Sequence, residues 1–231
     1  MIRAVIYDFH RTLALPPGGT IWRRSLFAEL AAVTYDSALI GEHLEAGFPW
    51  CFPEQRRDHG SAAAARAWFV DLLARSCEAG GVAVATSRSA AERAYLRVTH
   101  PTESNKLYPE TLLVLQAVAA RGIRQVVLSN HVWELPDICQ ALGLVPPLAE
   151  VLSSARLGVE KPHPESYAQA LRACRCKPHE VLFVGDTYET DVAGPERAGI
   201  HALLVRRPVG GTCRYADDLT GVVTAIDSLG A

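Results

Sequence analysis

Four short apolar runs that do not alternate with polar residues constrain this chain most: Ala4 to Tyr7, Gln125 to Leu128, Val181 to Val184 and Ala202 to Val205. A strand of that kind needs cover on both faces, which is the mark of a parallel sheet packed between helices. Glu150 to Leu152 is a weaker fifth run. Helical patterns fall between the runs. Glu110 to Arg121 carries a stripe of Leu112, Leu113, Leu115, Ala117 and Val118 and stops at Gly122. Glu165 to Cys174 repeats the pattern, and Asp191 to Ala198 does so more weakly before Gly199. Strands alternating with helices predict a doubly wound α/β domain with right-handed crossovers.

Residues 16–106 read differently. Pro16-Pro17-Gly18-Gly19 breaks the chain, and helical patterns follow at Ile21 to Val33, Ser37 to Leu44, Ser61 to Cys77 and Ala90 to Val98. The polar, proline-containing stretch His100 to Pro109 leads back to the strand–helix pattern. The reading is a helical module of residues 16–106 inserted after the first strand, with the α/β domain formed by 1–15 and 107–231.

At 231 residues and 49% hydrophobic, the chain has enough apolar material for a full core. A formal net charge of −2 with no long basic run argues against a nucleic-acid partner. Six scattered cysteines are too sparse for a disulfide framework and point to reduced thiols. Cys174 and Cys176 lack a second pair at zinc-site spacing. The N-terminus lacks the apolar stretch and cleavage site of a signal peptide, and no apolar segment is long enough to span a bilayer. The expectation is a cytoplasmic protein with no membrane partner, a monomer or homodimer.

In a parallel α/β sheet, ligands bind beyond the carboxyl ends of the strands. The first run ends in Asp8-Phe9-His10-Arg11-Thr12, the second in Ser129-Asn130, and the third in Gly185-Asp186 with Asp191 shortly after. Lys161, one of three lysines in the chain, follows the weak run. Clustered carboxylates repel one another unless a cation sits among them, and oxygen donors of this kind suit Mg²⁺. An aspartate can attack phosphorus, while hydroxyl and ammonium donors hold the transferring phosphoryl oxygens.

In order and spacing these residues resemble the four motifs of the haloacid dehalogenase superfamily: Asp8 to Thr12, Ser129-Asn130, Lys161, and Gly185-Asp186 with Asp191. The resemblance covers the whole chain. It implies a Rossmann-like three-layer core with a parallel sheet and an inserted all-helical cap. It also implies a Mg²⁺-dependent phosphatase acting on a small phosphorylated substrate. By the same resemblance Asp8 is the nucleophile and a metal ligand, the His10 backbone carbonyl a second ligand, and Asp186 and Asp191 the late acidic ligands. Ser129 and Lys161 hold the phosphoryl group, with Asn130 and Thr12 beside them on the substrate side. The family's metal-free dehalogenases usually lack the Gly-Asp arrangement of motif four, and its phosphonoacetaldehyde hydrolases need a cap lysine. Residues 15–105 contain no lysine.

One position departs from the family's phosphatases. The second aspartate of motif one, which protonates the leaving group and activates water, is His10 here, and Arg11 replaces the usual glycine. Histidine suits both proton transfers. Three readings of His10 stand: the acid/base of an active phosphatase, the sign of an altered enzyme such as a phosphotransferase, or the sign of a silent ligand-binding protein. The intact remainder of the motifs favours the first.

Taken singly, Asp8 or Asp186 could be a helix cap, Ser129-Asn130 a turn, and Lys161 a surface charge. In the insertion, Trp22, Phe27, Trp50, Phe52, Trp68 and Phe69 read as packing residues, and Arg23, Arg24, Arg56 and Arg57 as solvated charges. His59, His100 and His163 have no metal-site spacing, and His131 is a weak candidate for lining the site.

Overall fold

The structure, a computed structural model, describes residues 1–15, 21–47, 59–209 and 212–230. The break at Pro16-Pro17-Gly18-Gly19, Trp50, Phe52, Arg56 and Arg57 lie outside the described residues.

β1 (Ala4–Tyr7) lies inside a six-stranded sheet of order β5-β4-β1-β6-β7-β8. The other strands are β4 (Arg124–Ser129), β5 (Glu150–Ser153), β6 (Val181–Gly185), β7 (His201–Val205) and β8 (Tyr215–Ala216); β1 pairs with β4 and β6, and every neighbouring pair in the sheet is parallel. The unalternated runs are explained by cover on both faces. Val5, Tyr7, Val127, Leu182, Val184 and Leu203 point into one apolar layer with Val114, Leu115 and Val118 of α5 (Thr111–Ala119) and Val222 and Ile226 of α10 (Gly221–Gly230). Ala4, Ile6, Val126, Leu128, Val181 and Phe183 point into the other, with Tyr167, Ala170, Ala173 and Cys174 of α8 (Pro164–Cys174). The register sets Tyr7 beside Val127 and Val184, so the chain segments that follow β1, β4 and β6 emerge along one edge.

The insertion holds α1 (Ile21–Glu29), α2 (Ser37–Gly47), α3 (Ala62–Ala79) and α4 (Val84–Thr99). Ser61 caps α3 by accepting a hydrogen bond from the Ala64 amide at 3.2 Å. Trp22 stacks on Phe69 with ring centroids 5.1 Å apart, and Tyr95 completes the layer, so these aromatics are packing residues. Glu29 ties α1 to α4, accepting from Arg93 Nε at 2.6 Å and Arg97 Nη2 at 2.5 Å. α4 begins at Val84, ahead of the Ala90 expected from periodicity. Its first turn faces solvent and buries only Ser87, whose hydroxyl donates to the Val82 carbonyl, so no apolar stripe marks it.

The insertion leaves and rejoins the core through a two-stranded antiparallel ribbon. Ala14 pairs with Leu107 and Leu15 with Lys106, as β2 (Ala14–Leu15) and β3 (Lys106–Leu107). Strands this short carry no periodic signal. A second tie joins the insertion to α6 (Leu135–Ala141): the Tyr95 hydroxyl donates to the Glu134 carboxylate at 2.9 Å. No described helix is long and apolar enough to cross a membrane.

Between β1 and β2 the chain turns with Arg11 at φ 60°, a left-handed conformation that costs an L-residue about 1–2 kcal/mol.

Two stability outcomes follow. The two guanidinium groups hold the Glu29 carboxyl below the usual range. Its contribution is therefore present above that range and lost as pH falls through the lowered value. E29Q should cost about 1 kcal/mol at pH 7, with a smaller gap to wild type near pH 4, as read by urea unfolding. A gap that fails to narrow on acidification rules out these ion pairs as its source. Separately, R11G should be more stable than R11A by about 1 kcal/mol, because strain relief exceeds glycine's entropy in the unfolded chain. Equal midpoints for R11G and R11A would show that the left-handed turn is not enforced.

Candidate functional site

Asp8 follows β1 directly, its backbone amide donating to the Val184 carbonyl at 2.9 Å, which places its carboxylate between β4 and β6. Lys161 reaches the same point from the loop that follows β5 and the short helix α7 (Ser154–Leu157). Its ammonium donates to Asp8 Oδ1 and to Asp191 Oδ1, each at 2.7 Å, and lies 5.2 Å from the centre of the Phe183 ring. All three side chains are buried. Burial works against the charge on Lys161, but Asp191 and Asp8 outweigh it and hold the ammonium charged, above its usual range.

Asn130 explains how a lone lysine is placed so accurately. Its amide nitrogen donates to the Lys161 carbonyl at 2.9 Å and its oxygen accepts from the Lys161 amide at 2.8 Å. Each end of the amide thus has a partner, and Asn130 fastens the lysine loop to the end of β4. Ser129, the last residue of β4, is buried beside it.

Asp191 comes from a π-helical turn, Glu189–Ala193, that precedes α9 (Gly194–Arg197). The turn runs straight on into α9, so the helix expected over Asp191 to Ala198 is present and begins with a π-helical turn. Asp191 Oδ2 accepts from the Thr187 amide at 3.0 Å, and Oδ1 from the Thr190 hydroxyl at 3.1 Å. Gly185 is needed for this packing: a Cβ there would lie 2.4 Å from the Asp191 carboxyl carbon. Burial, against the pull of Lys161, pushes Asp191 up to about 6. Asp186 is also raised, by burial and then by the charge of Asp8, despite a contact from Arg207 Nη1 to its Oδ2 at 3.2 Å.

Asp8, Asp186 and Asp191 each offer an oxygen within 4.8 Å of the others. Opposite ligands of an octahedral Mg²⁺ lie about 4 Å apart, given ion–oxygen distances of 2.0–2.1 Å. A hard, all-oxygen, negatively charged and sheltered donor set of this size fits that ion, and a cation there would favour the ionised carboxylates of Asp186 and Asp191, which burial disfavours.

His10 lies two residues beyond Asp8 in the segment that follows β1. Its Nε2 lies 2.9 Å from Asn105 Oδ1, and its ring meets Phe9 at 5.0 Å and His131 at 4.8 Å between centroids. Burial lowers the His10 imidazole below its usual value, with Asp8 acting in the opposite direction. The ring is therefore biased to the neutral form, suited to accepting a proton. His131 is pushed down further, by burial and by His10. Thr12 is fully buried, and its hydroxyl makes no hydrogen bond with the described residues. Its carbonyl accepts from Arg206 Nη2 at 3.1 Å. Arg206 also donates to Glu110 Oε1 at 2.6 Å and stacks 3.4 Å from the Tyr108 ring centre, bracing the motif-one loop from the end of β7. Arg206 and Arg207 follow the run Ala202 to Val205 directly, so the strand-end rule points to them as well; Asn105 lies in the return segment and carries no sequence signal.

These residues set a carboxylate held by an ammonium, a cluster of three carboxylates and an imidazole along one sheet edge. The family described as haloacid dehalogenase-like hydrolase matches residues 7–199. The human haloacid dehalogenase-like hydrolase domain-containing protein 3 is 32% identical over 158 residues, which cover 68% of this chain and 62% of that protein. The match thus spans less than two thirds of that relative's length. The glyceraldehyde 3-phosphate phosphatase of Methanothermobacter thermautotrophicus is 32% identical over 127 residues, 53% of this chain and 55% of that one. In fold, the 2-haloacid dehalogenase of Pseudomonas syringae pv. Tomato DC3000 superposes with a TM-score of 0.71 at 21% identity, covering 100% of both chains. The strand-end constellation and the match over most of its length agree: this chain belongs to the haloacid dehalogenase-like hydrolase family.

Proposed function

We propose that this protein is a Mg²⁺-dependent phosphatase of small phosphorylated metabolites that works through an aspartyl-phosphate on Asp8. The observation that carries the reading is the buried cluster in which Lys161 bridges Asp8 and Asp191 while Asp186 stands within ligand distance. Matches to phosphatases such as the archaeal glyceraldehyde 3-phosphate phosphatase support it. The Gly185-Asp186 pair with Asp191 also favours it over metal-free dehalogenation. The ion would sit between Asp8, Asp186, Asp191 and the His10 carbonyl, where it would offset the repulsion between the Asp8 carboxylate and an anionic phosphoryl group.

The chain's own residues supply the rest. Asp8 Oδ2, outside the pair with Lys161, attacks phosphorus as the ester P–O bond breaks. Lys161 and Ser129 hold the equatorial oxygens. The leaving oxygen takes a proton from the imidazolium form of His10, the minor form at neutral pH, and leaves the ring neutral. Water then attacks phosphorus and gives its proton back to His10, the bond to Asp8 breaks, and phosphate leaves. Residues 1–15 and 107–231 form the catalytic core, and residues 16–106 form a cap that closes over the substrate and excludes water. The free thiols among the described cysteines accord with a cytoplasmic location.

A panel of phosphorylated metabolites should reveal phosphate release that disappears with a chelator, returns with Mg²⁺, and is abolished in D8N at unchanged thermal stability. Turnover persisting in D8N would eliminate the aspartate as nucleophile. H10A should lower turnover about 10²–10⁴-fold and H10D should recover much of it. Wild-type rates in both variants would remove His10 from the chemistry.

A further inference from the structure

Asn105 is an unassigned residue at the hinge of the insertion, and its surroundings dictate which nitrogen of His10 carries a proton. It precedes β3 in the return segment and is 4% exposed. Its Nδ2 donates to the Pro101 carbonyl at 3.0 Å. A carbonyl only accepts, so the amide's nitrogen end must face Pro101, and its oxygen end must face His10 Nε2, 2.9 Å away. That oxygen also only accepts. His10 Nε2 must therefore keep its hydrogen, and Nδ1 is left as the ring nitrogen open to a proton. The packing of Phe9 and His131 against the ring fixes its plane.

The support behind Asn105 leads straight to the insertion. Ser104 is buried, and its hydroxyl donates to the Arg97 carbonyl in the last turn of α4. Ser104 N donates to the His100 carbonyl at 3.4 Å and Glu103 N to His100 Nδ1 at 3.2 Å, closing a compact turn between α4 and β3. β3 is in turn paired with β2, which leaves the motif-one loop. We infer that Asn105 is a positioning residue: it locks His10 in the Nε2–H tautomer, directs proton transfer through Nδ1, and ties that choice to the end of α4. The catalytic half of this inference rests on the phosphatase reading; the tautomer half does not.

The test has two arms. Protein labelled with ¹⁵N in histidine rings, with the His10 signals identified by comparison with H10Q, is studied at pH 8 by two-bond ¹H–¹⁵N correlation. Wild type should show His10 as the Nε2–H tautomer, N105A a mixture or the Nδ1–H form, and N105D, whose carboxylate also accepts, the wild-type pattern. In the second arm, N105A should lower kcat for phosphate release about 10–100-fold with KM nearly unchanged. N105D should recover it, and N105A should add nothing in an H10A background. An Nδ1–H tautomer in wild type overturns the proposal even if N105A fails to fold, as does an unchanged tautomer or unchanged kcat in folded N105A. Absence of any turnover in wild type would count against the phosphatase reading alone, since the spectra still decide the tautomer.

Discussion

The ammonium of Lys161 carries the greatest electrostatic burden in this molecule. Three carboxylates are buried together at one sheet edge, and a buried charge without a partner costs several kcal/mol. Lys161 compensates two of them at 2.7 Å each, while Asp186 takes a longer contact from Arg207, whose side chain is largely in solvent. The balance is incomplete by one negative charge or more; Asp186 and Asp191 are shifted upward first by burial and further by the charge of Asp8. A structure that keeps such an excess in a sheltered place is organised to receive positive charge there.

The rest of the fold serves that arrangement. Parallel pairing brings the ends of β1, β4 and β6 side by side, and two apolar layers remove the sheet from water. Residues with no chemistry of their own set the fine positions. Asn130 fastens the lysine loop, Gly185 leaves room for Asp191, the π-helical turn aims it, and Arg206 braces the backbone around Thr12. α4 meets the core at two places, through Tyr95 at Glu134 and through the turn that carries Asn105.

What was legible in the sequence is what burial writes into it. Unalternated runs marked β1, β4, β6 and β7 to within a residue or two, because both of their faces are covered, and the weaker run marked β5. Asp8, Lys161, Asp186 and Asp191 were visible because strand ends concentrate ligand-binding groups. Elements without an apolar period were not visible: the solvent-facing first turn of α4, the two-residue strands β2, β3 and β8, and the π-helical turn. The occupied amide of Asn130 and the contact between Asn105 and His10 were also hidden, since they join residues 31 and 95 positions apart. Such pairings depend on three-dimensional closure, which residue types alone do not encode.

The antiparallel ribbon at Ala14–Leu15 and Lys106–Leu107 has a consequence for how this architecture diversifies. Directly opposed residues of such a ribbon have their Cα atoms roughly 4.5–5.5 Å apart. The polypeptide therefore departs from the sheet and comes back to it at nearly one point, and what hangs beyond that point places little geometric demand on what lies before it. Lengthening, trimming or exchanging α1 to α3 leaves the strand order and the acid–lysine cluster standing, provided α4 keeps its contacts with Glu134 and with the turn that carries Asn105. On the proposed phosphatase reading, selectivity for one molecule over another is thus free to drift through the appendage, while the acid–lysine cluster stays where it is.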